Sequence, residues 1–408
     1  MMALFETARL QRIAVVWLIA VVFGGGFHVW DETRFGLTDG RGHPLGEDFI
    51  NFWAGAALAA RGLAHRVYDF GACHAFQVAQ VGHAIQLYHY SYPPTMMLVS
   101  LPLAWMPYPV AWVVWSVAGL AAFAATTRAI WPSRQAVLYA LAAPAAFINV
   151  MDGQTGLWTA AIFGAGLINL QRRPYLAGAL LGLFVCKPQL ALMLPVALAA
   201  GRQGKALLAM ALSAGAIALL TLPLYGLGLW RSYSALALIL RHIDLESGES
   251  WQYMPSVFVM VRHLGAATGV AYAAQAIAAV AATAMVVVVW RGRASAPVKS
   301  ASLALGTLLA SPYVHNYDLA LAALVPLWQL TALRDDDPRR LKALIAATLL
   351  LLAPILVPVL AWRTGVALGW LLLAPALWLT LSIHKSAELG GPAACEPIAA
   401  SEGAGIGV

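Results

Sequence analysis

The sequence predicts an all-α polytopic membrane protein, and three observations carry that prediction. Charge is scarce: of 408 residues, 61% are hydrophobic and only 11% charged, where soluble domains carry about 25%. Long apolar runs recur at 13–23, 206–224, 271–290 and 341–360, several near the ~20 residues that cross a bilayer as a helix. Short polar clusters separate the runs and alternate in character along the chain. A soluble α/β enzyme is excluded.

The first run follows Arg9 and Arg12, as in a secretory leader. It then passes through Gly24, Gly25 and Gly26 to His28 and Trp30 without a small-x-small cleavage pattern, so it reads as a retained first span. One set of later polar breaks is basic: Arg128/Arg134, Arg172/Arg173, Arg202/Lys205, Arg291/Arg293/Lys299, and Arg334 through Lys342. The other set is mixed or acidic: 31–92, 152–155, 187–189, 226–266 and 315–318. Placing the basic set inside gives 16 basic against 7 acidic residues there, and 9 against 11 outside, with nine of the ten histidines. The positive-inside rule therefore sets the orientation, and the net charge of +7 is a topology signal with no nucleic-acid partner implied.

About twelve crossings result, with both termini cytoplasmic. Residues 1–384 form one integral-membrane domain, and the Gly/Ala-rich 385–408 reads as a disordered cytoplasmic tail. Pro102, Pro107 and Pro109 break 94–128, so 94–107 is expected to be re-entrant or interfacial. The segments 174–186 and 190–201 are too short for straight spans and converge on Lys187, which such folds tolerate where protein or a wet cavity satisfies the backbone. Cys73, Cys186 and Cys395 are scattered, so neither a disulfide framework nor a metal-ligand spacing is expected.

The first outer segment, 31–92, is the largest extramembrane piece and carries amphipathic runs at 49–61 and 72–87, read as interfacial helices within a large outer loop. Asp48 precedes the first of these, where an aspartate commonly caps a helix, and Asn51 is placed to share that role. A capping carboxylate is fixed in direction and suits a base, while Glu47 reads as its solvated neighbour. In "YHYSYPP", Tyr88, Tyr90 and Tyr92 alternate, and the proline pair keeps the chain extended. The three rings then share one face, as an interfacial aromatic belt or as a platform for sugar or lipid.

Lys187 in "VCKPQLAL" lies between two apolar half-segments. A lysine at depth costs about 2.5–3.5 kcal/mol on insertion scales and needs a partner; the alternative is a side chain snorkelling to the interface. Pro188 breaks the helix and favours a cavity. "SPYVHNYDLA" repeats the pattern, with His315, Tyr317 and Asp318 in one outer turn. "MDGQTGLW" adds Asp152 and Gln154, Gln189 follows Lys187, and the last outer loop holds Arg241-His242 and Arg262-His263. That loop reads first as a solvated basic edge or a contact for anionic lipid.

The ordered set "EDFINFWAGAALAARG", "RVYDF", "YSYPPTMMLVSLPLAWMP", "DGQTG", "KPQLAL" and "SPYVHNYDLALAALVP" resembles glycosyltransferase family 87, within the GT-C superfamily. The resemblance spans 47–326. It implies a GT-C-type helical bundle with its active site on the outer face of the cytoplasmic membrane. It also implies transfer of a hexose, mannose foremost, from a polyprenyl-phosphate donor to a glycolipid or glycan acceptor. By that resemblance Asp48 is the general base. Lys187, with His315 and Arg262, is expected at the donor phosphate, and Tyr92, Gln154, Gln189, Tyr317 and Asp318 at the substrates. The last motif departs from the family's paired histidines after Ser-Pro: those places hold Tyr317 and Asp318, with His315 two positions earlier. No cofactor or metal is expected, because phosphate leaves well unaided. The rival reading is a secondary transporter or a lipid-linked-sugar flippase, which short broken spans with ionisable breaks also suit. No two corresponding broken segments appear in the two halves, which counts against it.

Overall fold

The computed structural model describes residues 8–389. Among these the chain is helical, with no strand beyond one isolated bridge between Thr38 and Pro44. Five helices are long and apolar enough to cross a membrane: α1 (Ala8–Glu32), α5 (Tyr108–Ile130), α11 (Gly204–Leu240), α13 (Thr268–Arg291) and α16 (Arg340–Thr364). Between them run shorter helices: α2 (Phe49–Ala60), α3 (Phe70–Val81), α4 (Pro94–Ser100), α6 (Gln135–Ala142), α7 (Pro144–Met151) and α8 (Gly156–Asn169). α9 (Pro174–Gly182), α10 (Met193–Ala200), α12 (Val257–His263), α14 (Ala296–Ala310), α15 (Val325–Thr331) and α17 (Ala374–Glu388) complete the series.

The surface is what a bilayer selects. Phe23 on α1 is 75% exposed and Ile277 on α13 is 71% exposed, and α11 presents Leu212, Leu219 and Leu220 in the same way. Apolar belts of this extent are untenable against water and ordinary against lipid. α11 is kinked where Gly226 leaves helical geometry (φ +79), just after Pro223; a proline removes a helical hydrogen bond and glycine accepts the positive φ.

The short helices explain the remaining polar breaks. α9 gives way to a 3₁₀ turn at Leu183–Cys186, Lys187 leaves helical geometry ahead of its proline (φ −139, ψ 70), and a second 3₁₀ turn at Pro188–Leu190 leads to α10. The hairpin converging on Lys187 is therefore as the sequence predicts. α4 and the following 3₁₀ turn Leu101–Trp105 stop before the proline that begins α5. Thr95 donates to the Val185 carbonyl (3.2 Å), joining α4 to the broken hairpin. Cys73 and Cys186 are both buried and free. α17 continues through Glu388, into the stretch expected to be disordered; 390–408 and Cys395 lie outside the described residues.

The first polar segment departs most from expectation. α2 is no interfacial helix: Phe49 through Leu58 are all buried. Phe52 and Trp115 stack (5.6 Å), Trp53 donates to the Met106 carbonyl (3.0 Å), and Asn51 accepts from buried Gln77 (3.0 Å). Tyr90 and Tyr92 meet ring to ring in the interior (5.9 Å), while Tyr88 is half-buried. Tyr90 is 1% exposed with its ring against Gly55, and Tyr92 packs on Phe52 (4.9 Å). An interfacial belt does not describe Tyr90 or Tyr92.

Candidate active site

Two consecutive left-handed residues, Gly46 (φ +72) and Glu47 (φ +39), turn the chain into α2 and deliver Asp48. The first-turn amides of α2 are taken by backbone: Phe49 by Gly46 (2.8 Å), Ile50 by Glu47 (3.2 Å) and Asn51 by Asp48 (3.0 Å). The Asp48 side chain therefore caps nothing, contrary to expectation. It accepts instead from Gln154 Nε2 at 2.5 Å.

Gln154 is aimed there by the turn that carries it. Gly153 has φ +57 and lies against Phe49, Trp115 donates to the Gly153 carbonyl (3.0 Å), and the Gln154 amide donates to Asn149 (2.9 Å). The next residue, Thr155, accepts from Lys187 Nζ through its hydroxyl (3.1 Å). Base candidate and cation are thus held by neighbouring residues of one turn. Tyr92 closes the wall, its hydroxyl 3.5 Å from Gln154 Oε1.

Lys187 is 4% exposed and pairs with Asp318 Oδ1 at 2.5 Å, while Asp318 itself is 0% exposed. Asp318 Oδ2 accepts the His315 backbone amide (3.1 Å). That makes Asp318 the counter-ion and loop brace; it has no surface for the substrate contact expected of it. The Tyr317 ring lies 4.8 Å from Lys187 Nζ and stacks on His315 (5.2 Å, 4°). His315 Nδ1 sits 3.1 Å from the Tyr313 carbonyl. Asn149 Nδ2 donates to the Tyr317 carbonyl (2.9 Å), and that carbonyl would lie 2.1 Å from a Cβ added at Gly156. The close approach requires glycine.

Burial raises the pKa of Asp48 above the usual carboxylate range, against the opposing Gln154 hydrogen bond and the fields of His315 and His89. His89 was not anticipated. It pairs with Asp244 at 3.6 Å, joining the first polar segment to the last. Burial disfavours its charged form, but Asp244, Asp48 and Glu249 outweigh that and its pKa is raised. His89 alternates with the tyrosines in "YHYSYPP", the one signal that set it apart. Glu47 is likewise no solvated neighbour: it is partly buried, and burial, Asp48 and Glu32 raise its pKa.

Arg262 is engaged with other partners. It donates to the Ala266 and Glu246 carbonyls (2.7 and 3.4 Å) and covers Trp251 (5.3 Å), none of which belongs to the Asp48–Lys187 group. Gln189 is half-buried, in the 3₁₀ turn after Lys187.

An apolar cavity of about 340 Å³ opens from this group. Tyr92, Thr155 and Lys187 form its polar end; Val99, Trp158, Ile162 and Leu183 are among the residues that continue it. The sequence profile of glycosyltransferase family 87 matches residues 90–312, more than half of the chain.

The chain belongs to glycosyltransferase family 87.

No curated protein and no solved structure matches it. Within the family 87 match lie Tyr92, Gln154, Thr155 and Lys187. Asp48 and the His315–Asp318 turn fall outside it, and the fold brings them to the same place. The family makes this chain a membrane glycosyltransferase.

Proposed function

We propose that this enzyme transfers a hexose, mannose foremost, from a polyprenyl-phosphate donor to an acceptor hydroxyl, with Asp48 as general base. One observation carries the reading: the ammonium of Lys187 stands at the polar end of an apolar cavity, held by Thr155, and the adjacent Gln154 holds the carboxylate of Asp48. A lipid-linked sugar phosphate has the same order of parts: isoprenoid, phosphate, sugar.

Lys187 has three N–H donors. Asp318 and Thr155 take two, and the third is available to a phosphate oxygen. The pair with Asp318 keeps the ammonium in place before substrate arrives and makes its burial tolerable. As the C1–O bond to phosphate breaks, negative charge grows on the leaving oxygen, where a positioned cation is most effective. His315, stacked on Tyr317 beside it, is proposed as the second phosphate contact. Asp48 takes the proton of the acceptor hydroxyl as that oxygen attacks C1; such assistance is typically worth about 10²–10⁴ in rate. Attack opposite the leaving group inverts the anomeric centre, as in single-displacement glycosidases. Gln154 orients Asp48, and Gln189 and Tyr317 contact the sugar or acceptor. Arg262 is left out of the phosphate site, in keeping with its contacts elsewhere.

The wider reading has about twelve crossings in a GT-C-type bundle, the short broken helices completing spans in pairs. The site faces outward from the cytoplasmic membrane, where no nucleotide sugar reaches it. The acceptor is a glycolipid or glycan.

The test uses purified enzyme in lipid vesicles with a labelled polyprenyl-phosphate mannose, candidate glycolipid acceptors, and a nucleotide mannose as control donor. Labelled glycoside formed from the lipid donor alone supports the reading. Product formed from the nucleotide sugar alone overturns it. Movement of unreacted donor across the vesicle, with no glycoside formed, would point to a flippase.

A further inference from the structure

We propose that His28, Glu32 and Glu47 form a site for one first-row divalent cation, tying the first long helix to the turn that carries Asp48. His28 and Glu32 are four residues apart on α1 and so share a face. Glu47 comes from the left-handed turn after the bridge at Pro44. One ligand atom from each residue lies within 4.8 Å of the others. The set is one imidazole nitrogen and two carboxylates, a mixture suited to zinc or manganese with room for water at the remaining positions.

A second observation points to a ligand. Glu32 is 2% exposed. Its Oε2 accepts the Gly46 amide (3.1 Å), but the buried Oε1 has no hydrogen-bond partner. It faces His28 Nε2 at 3.1 Å, and that nitrogen also lacks a hydrogen bond of acceptable geometry. The two buried atoms meet only each other, at 3.1 Å and in poor hydrogen-bond geometry, and a shared cation would satisfy both more fully. The charge balance agrees: Glu32, Glu47 and Asp152 all act on His28, and a divalent cation offsets that acidic excess. A cavity of about 330 Å³, lined in part by His28, Asp31 and Asp152, gives an ion access. Nothing in the transfer chemistry proposed above uses these three residues, so the site stands independently of that reading.

The sequence offers no metal signature here, because an i, i+4 His–Glu pair is common and the third member arrives only through the fold. The test is direct. Untagged protein in detergent is stripped with chelator and titrated with Mn²⁺, free ion being followed by its EPR signal. One Mn²⁺ should bind per chain, displaced by Zn²⁺, with imidazole ¹⁴N modulation in the pulsed-EPR spectrum. Glu47→Gln and His28→Ala should each weaken binding about tenfold or more, the scale set by losing support around a metal; His28→Ala should also abolish the nitrogen modulation. Asp39→Asn, in the same polar segment, should bind like wild type. Absence of binding to wild type, absence of nitrogen modulation, or full binding in both variants would overturn the site. The spectrum of wild-type protein decides the matter even if a variant fails to fold.

Discussion

Lys187 and Asp318 are joined by a 2.5 Å contact in which neither side chain is more than 4% exposed. The ion pair links the broken hairpin to the turn after α14. It turns an otherwise prohibitive lysine into a fixed charge at the end of an apolar cavity. The pair also predicts its own mutational pattern. Lys187→Met or Asp318→Asn alone should destabilise by about 3–5 kcal/mol, because each strands a buried charge or its partner. Lys187→Met combined with Asp318→Leu should regain much of that stability while remaining inactive. Thermal unfolding and transfer assays on the same preparations check both halves.

Gly156 predicts a different failure. Alanine there would drive its Cβ into the Tyr317 carbonyl and the Asn149 amide, at 2.1 and 2.5 Å. Overpacking of this kind costs about 1–3 kcal/mol. The His315–Tyr317 stack must shift with the carbonyl, so transfer should fall more than stability. Gly153→Ala, strained by φ +57 and by Phe49, should behave similarly through Gln154.

Asp48 should trade stability for function. Its folded pKa is raised by burial, so above its unfolded pKa the folded state holds more proton than the unfolded state. Stability then falls as pH rises from the unfolded value through the folded one. Asp48→Asn removes that charge and keeps an acceptor for Gln154. Its unfolding temperature should exceed that of wild type at neutral pH and match it at acid pH, as unfolding scans across pH would record.

Gln154 sets where that titration lies. Its hydrogen bond favours the ionised carboxylate, so Gln154→Leu should push the Asp48 pKa further up. The acid limb of the kcat/KM profile should move to higher pH, and the rate at neutral pH should drop about tenfold, the scale of a hydrogen bond to a charged group. An unmoved limb would separate Gln154 from the base.

How far the sequence reached depended on the range of each interaction. The break at Lys187-Pro188 was legible because a proline inside an apolar run has a local consequence. The partner of Lys187 was not, since Asp318 lies 131 residues away and only packing chooses it. Asp48 was singled out for a capping role that backbone carbonyls fill; the left-handed Glu47 that rearranges this turn has no sequence signature. The tyrosine alternation was real, but whether its face met lipid or core was settled by Gly55 and Phe52 on another helix. Length told four long helices plainly and the fifth, Tyr108–Ile130, lay within the proline-broken stretch 94–128, whereas the short helices acquire meaning only beside their neighbours.

The most direct test of the central claim is transfer by Asp48→Asn in lipid vesicles under single turnover, with donor binding measured in parallel. Donor should bind as to wild type and transfer should slow about 10²–10⁴-fold, the worth of a general base. Transfer at the wild-type rate with donor bound normally would contradict it.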